Sequence, residues 1–297
     1  MRYSYDMSDI DNWSKPEVLS SYLGQQLKSG RIALFVGAGI SVPFLNVDWT
    51  VLVNKLLASK GDKYTNKTLE QEVKLFRYRH FENDTSGYLD AVQQELYSEF
   101  DSSFEELRKN ATLGAIGALV MASLRGSANG VVTLNFDNLI ELYLKYHGFV
   151  TESVIEDIYW HPHADVAVYH PHGFLPINPS EPRSHDIVFD ADSYARALGS
   201  SGSKWREKIL SLLRTNICVF VGLSGVDLNL MSWIAEVDGH HPARLSGDRY
   251  WGVTFTTDSD PGVAASWRKV GIYCQVVGDY DHELPSFLFN ICQDAAS

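Results

Sequence analysis

A short apolar run that ends abruptly in glycine constrains this chain most. Residues 32–36 carry no charge and are followed directly by Gly37, Ala38 and Gly39. An apolar run of this length is typical of a strand buried on both faces, as in a parallel sheet. The glycines allow a tight turn and a close backbone approach to a ligand. Two interpretations remain open. The stretch is either an ordinary glycine turn after a strand, or an anion-binding turn in which unpaired backbone N–H groups and the N-terminus of a following helix bind a group such as pyrophosphate.

Two common phosphate-binding motifs are excluded at this position. A P-loop requires a lysine soon after its glycines, and no lysine follows Gly37 before Lys55. The dehydrogenase fingerprint requires a third glycine, and Val42 occupies that position. No acidic residue ends a second strand about 20 residues further on, where it would hold a ribose. A dinucleotide would therefore be held in a different way.

The composition limits the possible partners and compartments. The 297 residues, 45% of them hydrophobic, suffice for one large domain or two small ones. A net charge of −12 disfavours direct binding of nucleic acid. The cysteines Cys218, Cys274 and Cys292 are too far apart for a zinc ribbon. No apolar run approaches the ~20 residues of a membrane span, and Met1 opens no signal peptide, so we expect a cytoplasmic protein without membrane contact.

The hydrophobic pattern predicts an α/β protein. Residues 48–126 show mostly helical signals, which we interpret as a helical module inserted within a single domain of residues 1–297. Apolar runs elsewhere alternate with helical patterns. This alternation predicts a Rossmann-like, doubly wound parallel sheet without a zinc ribbon. Besides the first strand, strands are expected at residues 131–134, 166–169, 187–189, 217–221, 250–255 and 272–277.

Polar residues and glycines gather where four of these strands end. Each group alone has a structural explanation, since Asn-x-Asp is often a helix cap and His-Gly is often a turn. Ligands of open α/β sheets bind outside the carboxyl ends of the strands, so four groups at one edge indicate a site. The candidate residues are Gly37, Ala38, Gly39 and Ser41, then Thr133, Asn135 and Asp137, then His172, then Gly222, Ser224 and Asp227.

These segments resemble the sirtuin superfamily, and specifically the NAD hydrolases of prokaryotic defence systems. The order and rough spacing hold from about residue 20 to about residue 290. The segments that carry the resemblance are Gly37-Ala-Gly-Ile-Ser41, Asp48-Trp49, Thr133-Leu-Asn135-Phe-Asp137 with Leu139 and Glu141, His172-Gly173, Tyr194, and Gly222-Leu-Ser224 with Asp227.

The resemblance implies roles for the candidate residues, with NAD as the substrate. The glycine loop would take the pyrophosphate, Ser224 and Asp227 would lie near the adenosine half, and Asp137 would hold the carboxamide side. Asn135 would order a water or the ribose hydroxyls, and His172 would act as general base. Nicotinamide is a cationic leaving group, so such a site needs a fixed water and a base with a pKa near neutrality.

Departures from the family narrow the implied activity. Sirtuin deacylases carry a four-cysteine zinc module that this chain cannot build, which leaves hydrolysis of NAD to nicotinamide and ADP-ribose as the leading expectation. The alternatives are a non-catalytic subunit that binds NAD or ADP-ribose and, less favoured, a protein deacylase. The pairs His161-x-His163 and His170-x-His172 have the spacing of metal ligands, but Pro162 and Pro171 interrupt them. We therefore expect no metal.

The resemblance also implies partners. An effector that depletes cellular NAD during phage infection must be restrained, and relatives of this size resemble those encoded beside a HerA-type ATPase. An Argonaute-linked system is a weaker alternative. We expect a homo-oligomer controlled by such an ATPase. The candidate contact surfaces are an aromatic arm, Tyr3, Tyr5 and Trp13, and the basic cluster Arg77, Tyr78 and Arg79 of the helical module.

Overall fold

A seven-stranded sheet, parallel at every pairing, forms the centre of the protein. The computed structural model describes residues 13–121, 123–155, 163–199, 204–225, 227–242 and 250–297. The strand order is β3-β4-β2-β1-β5-β6-β7. The strands are β1 Ile32–Val36, β2 Gly130–Thr133, β3 Thr151–Val154, β4 Val166–Tyr169, β5 Ile217–Val221, β6 Gly252–Thr256 and β7 Ile272–Val276.

Helices connect the strands and cover the sheet. Those before and after the first strand are α1 Pro16–Lys28, α2 Val42–Leu45, α3 Trp49–Ser59, α4 Leu69–Phe81, α5 Thr85–Leu96, α6 Phe104–Leu107 and α7 Ala111–Val120. Later helices are α8 Leu139–Tyr146, α9 Ala191–Gly199, α10 Lys204–Thr215, α11 Leu228–Asp238, α12 Pro261–Lys269 and α13 Glu283–Ala296. Helices α3 to α7 lie between β1 and β2 in sequence; that they form a separate module remains a prediction.

The position of β1 fixes where a ligand can bind. It pairs with β2 on one side and with β5 on the other. Strands β6 and β7 follow beyond β5, and strands β4 and β3 follow beyond β2. Val36 is in register with Thr133 of β2 and with Val221 of β5. The loops that follow these three strands therefore start side by side. The reversal of strand order makes this the topological switch point of the sheet, where a crevice opens.

Both faces of the sheet are buried. Leu34, Val36 and Val219 belong to a core on one side, and Phe35 and Phe220 belong to a second core on the other. The uninterrupted apolar sequence of the central strands follows from this two-sided burial. No helix in the described part of the chain is long and apolar enough to cross a membrane.

Some local predictions were wrong. Residues 187–189 form no strand. The Val188 N–H donates to the His172 carbonyl, which lies beyond the end of β4, and Phe189 packs against Trp49 and Phe136. The half-buried edge strand β3 was missed, since its sequence is mostly polar.

The proposed contact surfaces are corrected as well. Tyr3 and Tyr5 lie outside the described residues. Trp13 is 2% exposed and stacks on Tyr250, so it belongs to the core. Arg77 is occupied inside the protein, where it pairs with Asp186 at 3.1 Å and with Asp190 at 2.9 Å.

Candidate functional site

The glycine loop after β1 is bonded to the loop after β5. The Gly37 N–H donates to the Val221 carbonyl at 2.9 Å, and the Gly39 N–H donates to the Gly222 carbonyl at 3.0 Å. A Cβ on Gly39 would lie only 2.7 Å from the Gly222 Cα. The glycines therefore allow two loops to touch. The expectation that both glycine N–H groups point at a ligand is corrected, because both already have partners.

Ala38 is the exception within this loop. Ile40 and Ser41 donate their N–H groups to carbonyls of the same turn, at 3.3 and 2.9 Å. Within the part of the chain that the structure describes, the Ala38 N–H donates no hydrogen bond. The helix N-terminus with which the sequence was consistent is here a short turn at Ala38–Ile40, followed by the four residues of α2. An anion at this loop would be met by one main-chain donor.

Asn135 is held against the glycine loop by its amide group. Its Nδ2 donates to the Gly37 carbonyl at 3.1 Å and to the Ser41 hydroxyl at 2.9 Å. Its own N–H donates to the Thr133 hydroxyl at 3.2 Å. The Oδ1 atom accepts no hydrogen bond from the described residues. The amide is thus fixed, and its oxygen remains available to a water or a ribose hydroxyl.

Asp137 lies beside the same serine. It is 6% exposed, and its Oδ1 accepts the Leu139 N–H at 3.2 Å. Burial raises the pKa of Asp137, although hydrogen bonds from Ser41 and Leu139 oppose that shift. Ser41 therefore connects the two polar side chains that follow β2. Burying a carboxylate away from water costs free energy, and carboxylates with such a shifted pKa are frequent at ligand sites.

A buried polar chain supports Asn135 from behind. His170 Nε2 lies 2.7 Å from Glu141 Oε1, and His170 Nδ1 lies 3.2 Å from the Asn135 carbonyl oxygen. The Ser153 hydroxyl donates to Glu141 at 2.9 Å. Because a carbonyl only accepts, the Nδ1 atom of His170 carries a hydrogen. The chain connects α8, β3 and β4 to the backbone of Asn135.

His172 has other protein partners than His170, although both residues line one cavity. Its Nε2 lies 3.3 Å from Asn229 Nδ2 and 3.6 Å from Asp227 Oδ2. The ring is 2% exposed. Burial lowers the pKa of His172, while Asp227 and the Leu134 carbonyl oppose that shift. The imidazole is therefore neutral at neutral pH, as a general base must be. His161 and Pro162, members of the other histidine pair, lie outside the described residues.

Asp227 and Ser224 are close in sequence but have different surroundings. Asp227 caps α11, where its Oδ1 accepts the Leu230 N–H at 2.8 Å, and its Oδ2 accepts the Tyr194 hydroxyl at 3.2 Å. Ser224 lines a separate cavity with Gly39 and Gly222. The structure thus brings Asp227 next to His172. Whether either residue contacts adenosine remains a prediction.

Ala38 lines two cavities. One, of about 280 Å³, is lined by residues of the glycine loop and of the loop after β5, and its walls include Phe255 and Tyr280. The other, of about 40 Å³, is lined by Trp49, Ser41, Asn135 and Asp137. The first has room for an aromatic ring, whereas the second holds only a few waters as it stands. Both lie at the switch point, with Ala38 in the wall of each.

His172 lines a third cavity of about 430 Å³. Asn135 lines the small cavity, and neither residue lines the cavity of the other. The structure therefore places the two predicted catalytic residues in the walls of different cavities. Thr133 is buried and holds the Asn135 backbone, and it lines none of the three cavities.

Sequence reasoning missed two residues of this region. One is Asn229, which contacts His172. It follows Asp227 with one residue between them, just as Asp137 follows Asn135, but with asparagine and aspartate in the opposite order. That repeated pattern after a glycine-ended strand was the available signal. His170 was considered only as a metal ligand, and its true partner, Glu141, could not be found without knowing that α8 packs beside β3.

Comparison with known proteins agrees with the family resemblance. Residues 129–272 match the family described as SIR2-like domain. Over 224 residues the chain is 25% identical to a protein of Enterococcus faecium named NAD(+) hydrolase ThsA. The alignment covers 74% of this chain but 43% of that protein, so the chain spans less than half of that relative's length. The resemblance to sirtuin-like NAD hydrolases is thereby confirmed.

Proposed function

We propose that this SIR2-like chain is an NAD⁺ glycohydrolase that cleaves NAD⁺ to nicotinamide and ADP-ribose. The observation that carries the proposal is the pair of cavities at the switch point that share Ala38, with the fixed amide of Asn135 in the wall of one. NAD⁺ would bridge the two with a corner at Ala38, and its pyrophosphate would lie there, where the Ala38 N–H can donate to it. The larger cavity, with Phe255 and Tyr280, suits the adenosine half.

The reaction needs little acid–base chemistry. The bond from the ribose C1′ to the nicotinamide nitrogen breaks, and the electron pair leaves with a neutral nicotinamide. A water then forms the new bond at C1′, and its proton passes to a base. Asn135 Oδ1 would orient the water, and His172 would receive the proton because its buried ring is neutral.

Binding of the nicotinamide half would require a local change. The cavity beside Asn135 has a volume of only about 40 Å³. Its outer wall contains Leu45, Val47 and Asp48, which belong to a short helix and the turn after it. We expect this segment to move outward when NAD⁺ binds, which would enlarge the cavity beside Asn135.

A non-catalytic NAD or ADP-ribose sensor is the alternative. A pure binding site has no use for a neutral buried histidine beside a carboxylate, whereas a hydrolase does. A protein deacylase is less favoured, because the sequence lacks the cysteine pairs of the zinc module. Release of nicotinamide from NAD⁺ by the purified protein separates the first two possibilities.

The biological setting we propose is depletion of cellular NAD in anti-phage defence, in a cytoplasmic homo-oligomer controlled by a HerA-type ATPase. A groove between α7 and α13 offers a contact surface, since Phe289 is 43% exposed there and Leu124, near the end of α7, is fully exposed. Light scattering tests the oligomer, and a monomer at micromolar concentration would contradict it. NAD⁺ turnover with and without the co-encoded ATPase tests the control.

A further inference from the structure

Two polar side chains approach the same nitrogen of His172 and require opposite states of it. As oriented, the Asn229 amide nitrogen can only donate, so its 3.3 Å contact requires a lone pair on Nε2. The Asp227 carboxylate can only accept, so its 3.6 Å approach becomes a hydrogen bond when Nε2 carries a proton. One contact therefore suits the resting base and the other suits the base after proton transfer.

The other nitrogen of the ring is in a different environment. Nδ1 is buried and makes no hydrogen bond of normal geometry with the described residues. The Leu134 carbonyl is near the ring and favours a hydrogen on it. Because Asn229 donates to Nε2, the hydrogen of the neutral ring belongs on Nδ1. This leaves Nε2, towards Asn229 and Asp227, as the proton-accepting atom.

Both partners are themselves fixed. Asn229 is 1% exposed in the first turn of α11, and its Oδ1 has no partner among the described residues. Asp227 is held by the Leu230 N–H and the Tyr194 hydroxyl. Burial and the neighbouring Asp227 raise the pKa of Tyr194, so it stays a donor. A buried asparagine with an unpaired oxygen is an unusual cost in a core.

We infer that Asn229 is a positioning residue that keeps Nε2 of His172 unprotonated in the resting site, while Asp227 stabilises the proton once it arrives. The inference rests on the proposed function only in naming His172 as the base. Among the described residues, the charged and titratable groups around His172 are Asp227 on the loop after β5, Tyr194 and Arg196 of α9, Arg206 of α10, and His170, His185 and Asp186 at the cavity wall.

The tautomer can be measured without any enzymatic activity. ¹⁵N spectra of histidine-labelled protein report which ring nitrogen carries the hydrogen, and His172→Gln identifies the signal among the 10 histidines. We expect the Nδ1–H tautomer in the wild type at pH 8. Asn229→Leu should lose that preference. A wild-type ring that carries its hydrogen on Nε2 would overturn the inference, whatever the fate of NAD⁺.

Charge changes should move the titration of His172 in opposite directions. Asn229→Asp adds a carboxylate beside Nε2, so the pKa of His172 should rise by about one pH unit. Asp227→Asn removes one, so the pKa should fall. If the protein hydrolyses NAD⁺, the acid limb of the pH–rate profile should follow: the first variant loses activity at higher pH than the wild type, the second at lower pH.

A kinetic comparison separates positioning from general destabilisation. Asn229→Leu should lower kcat by roughly tenfold or more with little change in KM, because the loss of general-base catalysis costs about 10²–10⁴-fold and a misplaced base loses part of it. The control is Asn216→Leu, which removes a buried amide bonded to the Leu212 carbonyl at the opposite end of β5. It should lower stability but leave the tautomer, the pH profile and kcat unchanged. Equal effects of both variants, or unchanged His172 titration in the charge variants, would refute the role.

Discussion

Gly39 provides a sharp test of why the loop after β1 contains glycine. In Gly39→Ala the new Cβ would lie 2.7 Å from the Gly222 Cα, with the Gly222 carbonyl oxygen at 3.2 Å. Carbon atoms in contact prefer about 3.5–4.0 Å, so the two loops must separate by about 1 Å. The close atoms are backbone, and a side-chain rotation cannot relieve the contact. The clash arises even when no ligand is bound.

The structure allows the magnitude to be worked out. Overpacking of this kind costs about 1–3 kcal/mol, which corresponds to a loss of roughly 2–5 °C in Tm for a chain of this size. The hydrogen bond from Gly39 N–H to the Gly222 carbonyl, now 3.0 Å, would lengthen. The corner at Ala38 would shift with it, and a misplacement of about 1 Å can cost roughly 10²-fold in rate. Both stability and NAD⁺ cleavage should therefore fall.

The assays are thermal unfolding and release of nicotinamide from NAD⁺, each with a matched control. Gly239 ends α11, and a Cβ there meets nothing within 4 Å. Gly239→Ala makes the same chemical change and should alter neither Tm nor turnover by more than a small amount. A Gly39→Ala protein with the Tm and turnover of Gly239→Ala would show that the two loops do not need their close contact.

Three further substitutions test other parts of the site. Asp137→Asn should raise Tm at pH 7 and lower NAD⁺ cleavage, because burial raises the pKa of this carboxyl and its ionisation costs stability. The gain in Tm should shrink as the pH falls towards that pKa, where the wild-type carboxyl takes up its proton. A gain in Tm that is constant with pH would contradict this. Glu141→Gln should lower kcat roughly tenfold or more, since it removes the charge that faces His170, and wild-type kcat would remove the buried chain from the account. Arg77→Met should lower the urea midpoint by the equivalent of about 3 kcal/mol, because Asp190 would remain buried without its ion pair, and an unchanged midpoint would mean that the pair contributes nothing.

The strands near the switch point were predictable because their signal is local. Residues 32–36 and 217–221 are continuous apolar runs closed by glycine, and both are buried strands. The start of α3 was also readable, since Asp48 accepts the Val51 N–H at 2.8 Å as an N-cap. By contrast, α1 has no side-chain cap: Lys15 occupies the N-cap position without a side-chain bond, and Pro16 opens the helix.

The site was predictable as a set of residues but not as a geometry. Asn135 and Ser41 were identified, yet nothing in the sequence shows that the amide would bond that hydroxyl and the glycine-loop carbonyl. The glycines suggested free N–H groups, whereas pairing with the β5 loop consumes them. Such contacts depend on the register between strands that are far apart in sequence. The partners of His172 were hidden for the same reason.

The ion pairs between α4 and the segment after His172 show a similar limit. The cluster at Arg77 was interpreted as a possible partner surface because arginine and aromatic residues are frequent in interfaces. In the structure Arg77 binds Asp186 and Asp190 and covers the ring of Tyr88 at 4.8 Å. Charge clusters have the same appearance in sequence whether they face a partner or another part of the same chain. Tyr78 alone of that cluster is more than half exposed, at 53%.

The most direct test of the central claim is a quantitative assay of nicotinamide and ADP-ribose released from NAD⁺ by the purified protein, alone and with its candidate ATPase. The account predicts equal amounts of both products from the wild type. It predicts a loss of roughly 10²–10⁴-fold in Asn135→Ala and in His172→Ala, with folding retained. Binding of NAD⁺ by calorimetry without product under either condition, or turnover that survives both substitutions, would contradict it.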